Sequence, residues 1–372
     1  MAAVRHIGDL PDMRGLQGGK DVHRPAGGRG MRGLGVHGIH GLDRLPVLRE
    51  GRTMTPAPAR HKRTTGRTGM TIGFVGLGKM GRGMASNLQT KGFSLMVHDV
   101  VEAPMTALEA LGAKRGTPAE IAAACDIVVT MLPTGKEVAE VVLAPGGILD
   151  HARPGTMILD MSTIDPETTD RLHEETRRRG MTAVDAPVGR LAWHADRGQS
   201  LFMVGADDAD YQRALPLLQA MGTTIHHSGG PGAGTRMKLV NNYLAIILCQ
   251  LNAEALSLSQ RFGLDLGKTL DVLYGTTATN GQLKVNWPNK VLAGDTEPGF
   301  SIDLAHKDLT LIVQAANAAR VPVPVAAAAR EAFSQARARG YGQNDFSAMV
   351  DVACDIAQIE RARLPKGYTP PA

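Results

Sequence analysis

Three polar side chains that could handle a proton and bind a polar substrate lie on one face of a predicted helix. The segment reads "TRMKLVNNYLAIILCQLNAEALSLSQRFG", and in it Lys238, Asn241 and Asn242 fall on one stripe. Adjacent asparagines in so apolar a helix cost stability unless they are hydrogen-bonded. A lysine on that stripe could act as a general acid if burial lowered its pKa. The alternative interpretation is a solvated face near the start of the helix.

An arginine follows a predicted turn in the segment "DAPVGRLAWHADRG". Arg190 comes directly after Pro187, Val188 and Gly189, with no acidic residue next to it. A guanidinium binds anions through fork-shaped donors and keeps its charge at any ordinary pH. The segment therefore indicates an anion site, and the alternative is an ion pair between Arg190 and a nearby aspartate, Asp185 or Asp196.

A glycine-rich turn in "TIGFVGLGKMGRGMASNL" indicates a dinucleotide site. Gly76, Gly78 and Gly81 form G-x-G-x-x-G between an apolar strand at 72–75 and a helical pattern. The first glycine permits a tight turn, the second lets a pyrophosphate approach the backbone, and the third lets the helix pack closely on the strand. The helix N-terminus adds amide donors and a positive dipole end.

The next strand ends in an acidic residue that bears on the choice of cofactor. Residues 94–98 read as a strand, and Asp99 follows it, about 20 positions after the glycines. A carboxylate there bonds both ribose hydroxyls of NAD and repels the 2′-phosphate of NADP. No arginine follows Asp99, so NAD is favoured over NADP. The alternative interpretation is that Asp99 only ends the strand and makes no contact with a cofactor.

Further strand patterns at 126–131, 157–161 and 182–184 alternate with helical segments such as 166–179. This alternation predicts an α/β Rossmann fold, a doubly wound parallel sheet. Ligands of such sheets lie beyond the carboxyl ends of the strands. Five side chains fall at or just beyond these ends, and we interpret them as ligand contacts: Leu132, Pro133, Ser162, Thr163 and Arg190. The alternative is that they are ordinary turn residues.

After Gly229-Gly230-Pro231-Gly232 the pattern becomes helical and rich in Ala and Leu. We expect a Rossmann domain at 70–231, an all-α domain at 232–363 joined through a long helix, and a tail at 364–372. The three cysteines are widely spaced and odd in number, which argues against a disulfide framework and fits the cytoplasm. No apolar run is long enough to span a bilayer.

The positive net charge of the chain comes from its first 69 residues. They carry 11 Arg and 2 Lys against 4 Asp and 1 Glu, a net of +8, whereas the remaining 28 basic and 31 acidic residues give −3. This segment has no sustained apolar period, so we expect a disordered tail or an upstream extension ahead of a natural start at Met70. A targeting segment and a nucleic-acid-binding arm are the alternatives. No metal site is predicted.

The order of motifs resembles the β-hydroxyacid dehydrogenases, the family of 3-hydroxyisobutyrate dehydrogenase. The matching motifs are "GFVGLGKMGRGMASNL", "MLPTG", "DMSTIDP", "DAPVGR", "GPGAGTRMKLVNNYL" and "DLAHKDL", and the resemblance runs from Met70 to about residue 360. It implies that Lys238 is the catalytic acid/base and that Asn241 and Asn242 hold the substrate oxygens. It also implies two sets of contacts. The cofactor set is Gly76, Gly78, Lys79, Met80, Gly81, Asp99, Leu132, Pro133, Thr163 and Lys307, and the substrate set adds Ser162, Gly189 and Arg190.

The resemblance implies an NAD-dependent enzyme that interconverts a small anionic aldehyde and its hydroxy acid. Most of the family has Ser-Gly-Gly after Pro-Val where this chain has Gly189-Arg190-Leu191. At Gly189-Arg190 the chain resembles members of the family that bind a sulfonate. This resemblance implies that 3-sulfolactaldehyde is reduced to 2,3-dihydroxypropane-1-sulfonate, and the carboxylate semialdehydes are the alternative substrates. A homodimer or homotetramer is implied, without a membrane or nucleic-acid partner. The rivals are 6-phosphogluconate dehydrogenase and a non-catalytic NAD-binding or nucleic-acid-binding scaffold.

Overall fold

A nine-stranded sheet followed by a bundle of helices makes up the part of the chain described by the computed structural model, residues 69–365 and 367–368. The expectations for the basic N-terminal segment fall at 1–68 and so lie outside the described residues. The strands, in chain order, are β1 (Thr71–Val75), β2 (Ser94–His98), β3 (Lys114–Arg115), β4 (Ile127–Thr130), β5 (Met157–Asp160), β6 (Thr182–Asp185), β7 (Val188–Gly189), β8 (Ser200–Gly205) and β9 (Gly222–Gly229).

Six strands form a parallel sheet in the order β3-β2-β1-β4-β5-β6. This is the strand order of a Rossmann fold, with the reversal of winding between β1 and β4. The predicted doubly wound parallel sheet is therefore confirmed.

The far edge of the sheet departs from the parallel prediction. β8 pairs antiparallel with both β6 and β7 and parallel with β9. β7 continues the direction of β6 past the carboxyl edge of the sheet, since Val188 pairs with Phe202 near the start of β8. The short turn between β6 and β7 therefore places Gly189 and Arg190 beyond that edge.

Helices cover both faces of the sheet and then form the second region. They are α1 (Lys79–Thr90), α2 (Glu102–Glu109), α3 (Pro118–Ala124), α4 (Gly135–Val138), α5 (Ile148–His151), α6 (Pro166–Arg178), α7 (Ala192–Asp196), α8 (Asp208–Met221), α9 (Ala233–Arg261), α10 (Leu266–Tyr274), α11 (Ile302–Ala318), α12 (Pro324–Ala338) and α13 (Met349–Ala357). Short π-helical turns at Ala139–Leu143 and Gln282–Asn286 and 3₁₀ turns at Trp287–Asn289, Val291–Ala293 and Phe346–Ala348 complete them. No described helix is long and apolar enough to cross a membrane.

Alternate strand residues supply two separate cores, because successive side chains of a strand point to opposite faces. Phe74 and Val129 share a core with Leu88 of α1 on one face. Their neighbours Val75 and Val128 belong to the core on the other face. A third core lies between α9 and the helices that follow it. Burial on both faces explains why these strands read as continuous apolar runs in the sequence.

Candidate active site

The glycine turn between β1 and α1 has the geometry of a phosphate cradle. Gly76 has a φ of 101°, in the left-handed region that favours glycine. A Cβ at Gly81 would overlap the carbonyl oxygen of Gly76, so only glycine allows α1 to pack this closely. A Cβ at Gly78, by contrast, would meet no heavy atom within 4 Å. The open space at Gly78 and the amides at the start of α1, where Lys79 and Met80 lie, fit a dinucleotide pyrophosphate.

A cavity of about 310 Å³ lies beside this turn, and its lining combines a carboxylate with apolar side chains. Its lining is Leu77, Gly78, Lys79, Arg82, Asp99, Val101, Ala103, Pro104 and Ala107. The Asp99 carboxylate accepts hydrogen bonds from the amides of Leu77 at 2.5 Å and Val101 at 2.8 Å. Those amides hold the carboxylate at the cavity. The sequence motif did not single out Arg82, which reaches the cavity from α1.

The ends of β4 and β5 are joined through a buried aspartate. Asp160 accepts hydrogen bonds from the hydroxyls of Thr130 at 2.8 Å and Ser162 at 2.6 Å, and its burial raises its pKa. The Ser162 hydroxyl in turn accepts the amide of Leu132 at 2.9 Å. Ser162 is only 1% exposed, so its hydroxyl connects two strand ends. Contact between Ser162 and a substrate stays a prediction.

Two lysines link the sheet region to the helical region across the cleft between them. Lys307 of α11 donates to the carbonyl oxygens of Thr163 at 2.7 Å and Pro133 at 3.0 Å. Lys79 of α1 donates to the carbonyl oxygen of Pro298 at 3.0 Å. Lys307, Thr163 and Pro133 are thereby brought together, as their shared assignment to a cofactor site requires.

Lys238 lies on α9, and its ammonium donates to the carbonyl oxygen of Val188 at 2.7 Å. Burial lowers the pKa of Lys238; the negative charge of Asp308 opposes that shift and the positive charge of Lys307 adds to it. A lysine with a lowered pKa gives up its proton more readily than one in water. The solvated-face alternative does not describe this side chain.

The two asparagines on the same stripe form a chain of hydrogen bonds that ends on a buried carboxylate. Asn241 donates to the side-chain oxygen of Asn242 at 3.0 Å, and Asn242 donates to Asp308 at 2.6 Å. Asn242 and Asp308 are 5% and 1% exposed, whereas Asn241 is exposed. Asp308 fixes the orientation of Asn242, so this residue of the "DLAHKDL" motif belongs to the site, although the sequence predicted no role for it.

The start of α9 is held by Asp185 at the end of β6. Its carboxylate accepts the backbone amides of Gly232 at 2.8 Å and Thr235 at 2.7 Å, and it contacts Nε2 of His173 at 2.9 Å. The N-cap residue of α9 is Gly232, which has no side chain to bond these amides. Asp185 therefore caps the helix from the sheet. Lys238 follows Thr235 by three residues, which ties its position to this cap.

Arg190 takes an unusual backbone conformation, with a φ of 70°. Its guanidinium donates to the carbonyl oxygen of Gln199 at 2.6 Å and to the hydroxyls of Thr223 at 3.1 Å and Thr224 at 3.0 Å. Gln199 directly precedes β8, Thr223 and Thr224 lie near the start of β9, and all three partners are neutral.

The ion pair that was the alternative for Arg190 does not form. Asp185 is engaged by His173 and α9, and no ion pair among the described residues joins Arg190 to Asp185 or Asp196. Burial, together with the charges of Arg190 and Arg197, lowers the pKa of His194, which favours the neutral imidazole. The Arg190 charge is therefore not balanced by a carboxylate of the described protein.

Two family models match the chain along these two regions. The model for the NAD binding domain of 6-phosphogluconate dehydrogenase matches residues 71–229. The model for the NAD-binding region of NADP-dependent 3-hydroxyisobutyrate dehydrogenase matches residues 232–353. The 3-sulfolactaldehyde reductase of Escherichia coli K12 is 42% identical over 299 residues, which cover 80% of this chain and 97% of that protein. The chain belongs to the 3-hydroxyisobutyrate dehydrogenase family.

Other members of this family are similarly related. The 2-(hydroxymethyl)glutarate dehydrogenase of Eubacterium barkeri is 36% identical over 76% of this chain and 94% of that protein. The solved structure of 3-hydroxyisobutyrate dehydrogenase from Mycobacterium tuberculosis with L-serine has a TM-score of 0.71 and 32% identity, over 76% of this chain and 98% of that one. The predicted family, the Rossmann domain followed by helices, the oxidoreductase class and a nicotinamide cofactor are confirmed.

Proposed function

We propose that this dehydrogenase reduces a small aldehyde carrying a sulfonate, 3-sulfolactaldehyde, to 2,3-dihydroxypropane-1-sulfonate with NADH. The observation that carries the proposal is Arg190, a guanidinium at the carboxyl edge of the sheet with no carboxylate partner in the described chain. A sulfonate is a permanent anion with three acceptor oxygens, which suits a fork of N–H donors that never loses its charge. The 42% identity to a 3-sulfolactaldehyde reductase supports the same substrate.

In this proposal Lys238 supplies the proton. Reduction turns the carbonyl oxygen of the aldehyde into an alkoxide, and the Lys238 ammonium protonates it as the charge develops. Burial lowers the pKa of the lysine, so transfer of its proton to the alkoxide is more favourable than transfer from a lysine in water. The hydrogen bond to the carbonyl oxygen of Val188 holds the ammonium in place before a substrate binds.

Asn241 and Asn242 orient the substrate in the proposal. The exposed amide of Asn241 offers a donor and an acceptor to the substrate hydroxyl and carbonyl oxygens. Asn242 is held by Asp308 at 2.6 Å, so its amide does not rotate freely. Such positioning supplies a large part of an enzyme's rate, since the reacting groups are ordered before the reaction begins.

The cofactor residues are proposed from the cradle and cavity described above. Gly76, Gly78, Gly81, Lys79 and Met80 would hold the pyrophosphate, and Asp99 the ribose of adenosine. Leu132, Pro133, Thr163 and Lys307 would surround the nicotinamide, which supplies the hydride when it is bound. Asp99 favours NADH because a carboxylate repels a 2′-phosphate. Arg82 lines the same cavity and offers the opposite charge, and the ratio of kcat/KM for NADH over NADPH tests the preference.

A homodimer or homotetramer is proposed from the exposed side of α9. Val240, Leu244, Leu251 and Leu258 are 48–62% exposed and recur at helical spacing, which gives the helix a second apolar stripe. Sedimentation of the purified protein should show a dimer or larger species. Leu244→Asp should shift it toward the monomer, and Val272→Asp, an equally exposed site on α10, should not.

The substrate is tested by steady-state NADH oxidation with four aldehydes. Sulfolactaldehyde, succinic semialdehyde, methylmalonate semialdehyde and tartronate semialdehyde are compared by kcat/KM. We expect a preference for the sulfonate of about tenfold or more, lost in Arg190→Gln and kept in Arg197→Gln, a control arginine stacked on Trp193. A carboxylate preference in the unmodified enzyme would reject the sulfonate and leave the family assignment intact.

A further inference from the structure

The start of β9 contains an irregularity that aims two hydroxyls at one guanidinium. Ser200 pairs with Gly222 and Leu201 with Thr224, so Thr223 is an extra residue between two successive pairs. In a regular strand, the side chains of Thr223 and Thr224 would point to opposite faces. Here both hydroxyls accept hydrogen bonds from Arg190, at 3.1 and 3.0 Å. A bulge of this kind re-aims side chains and is common beside active sites.

The arginine itself meets this bulge through a second irregularity. Arg190 is one of three non-glycine residues with positive φ in the described chain. Such a conformation is unfavourable for a residue with a side chain and persists where the surrounding structure determines it. Two separate departures from regular backbone, the positive φ of Arg190 and the bulge in β9, thus converge on the same guanidinium. An exposed arginine can find hydrogen-bond partners without either of them.

The arrangement leaves part of the guanidinium available. Arginine carries five N–H donors. Nη1 uses its two donors on Gln199 and Thr223, and Nη2 uses one on Thr224. Among residues 69–365, no partner takes the donor on Nε or the second donor on Nη2, and these two nitrogens share one edge of the planar group. Because hydroxyls and a carbonyl are neutral, they fix the group without cancelling its charge.

We propose that Thr223 and Thr224 are positioning residues that present the Nε and Nη2 edge of Arg190 to the anionic tail of the substrate. The inference rests on the proposed function, since it takes Arg190 as the residue that binds the tail. It adds that selection between a sulfonate and a carboxylate depends on this bulge. Valine is the matched replacement, because it keeps the shape and the strand preference of threonine and removes only the hydroxyl.

The test compares Thr223→Val, Thr224→Val and the double variant with the unmodified full-length enzyme. We expect KM for sulfolactaldehyde to rise about tenfold in the double variant, with kcat within about threefold and KM for NADH unchanged. The preference for the sulfonate over succinic semialdehyde should fall with it. Thr106→Val is the control, since Thr106 accepts a similar bond from Arg115 at 2.8 Å on α2. Thermal unfolding shows whether each variant is folded.

An Arg190→Gln background separates the two proposals. If the Thr pair acts through Arg190, adding both valines to Arg190→Gln should change KM for the aldehyde by less than twofold. A large effect of Arg190→Gln with no effect of the valines would overturn the positioning role and leave the proposed function standing. No effect of Arg190→Gln on any aldehyde would overturn both. An equal rise in KM for every aldehyde, charged or neutral, would also reject selection by the bulge.

Discussion

Replacing Asp185 with alanine should destabilise the protein and slow the reaction together. The Asp185 carboxylate is 1% exposed and accepts the backbone amides of the N-cap residue Gly232 and of Thr235 in the first turn of α9, and it also contacts His173. Alanine leaves those two amides without an acceptor in a buried place. The carboxylate also acts on the positive end of the helix dipole, which strengthens the cap.

The size of the effect follows from these bonds. A buried donor left unpaired costs about 1–3 kcal/mol, and loss of a helix cap typically costs about 1 kcal/mol. Two buried amides and the half-buried imidazole of His173 together predict a fall of about 3–5 kcal/mol in the free energy of unfolding. Because Lys238 lies one turn further along α9, kcat should also fall about tenfold or more at temperatures where the variant is folded.

Urea unfolding and steady-state kinetics on the same preparation measure both quantities. Asp170→Ala is the matched control, since Asp170 also bridges to α9, through Arg236 at 2.8 Å, but the two side chains are 55% and 50% exposed. An exposed pair contributes about 0–1 kcal/mol, so this variant should differ little from the unmodified protein. If Asp185→Ala costs less than about 1 kcal/mol and keeps its kcat, the cap does not position the lysine.

Three further outcomes are expected. Because burial lowers the pKa of Lys238, the rate of aldehyde reduction should fall as pH rises through a value below 10.5, the ordinary pKa of lysine, and a limb at or above 10.5 would contradict this. Asp99→Ser should raise the ratio of kcat/KM for NADPH over NADH about tenfold, and an unchanged ratio would remove Asp99 from cofactor selection. Cys125, Cys249 and Cys354 are buried, and burial raises the pKa of Cys125 to about 12, so Ellman's reagent at pH 8 should label all three in guanidinium and none within minutes in the native protein.

The parallel sheet and the glycine turn were predictable from the sequence because both depend on short segments. An apolar run such as 127–130 is buried on both faces and can be recognised without knowing its neighbours. Gly76 is required by its left-handed φ, and Gly81 by its close approach to the carbonyl oxygen of Gly76. Local patterns of this kind carry their own physical explanation.

The antiparallel edge and the surroundings of Arg190 were not predictable in the same way. Arg190 meets Thr223 and Thr224 at separations of 33 and 34 residues, through a bulge whose register depends on β8. Asn242 and Asp308 are 66 residues apart and come from different helices. No spacing rule links such pairs, since their proximity follows from how whole elements pack.

The bridging role of Asp185 constrains the construction of chimeric enzymes. A recombination point between the sheet region and the helical region, near residue 232, looks natural because the two family models meet there. Yet the acceptor for the first amides of α9 lies on the sheet side, and Thr169 and Thr235 share a further bond of 3.0 Å across the same junction. Halves taken from different parents fit only if both residues of each contact are inherited as a pair. Exchanges that move α6, β6 and the first two turns of α9 as one block should keep activity more often than exchanges cut at the junction.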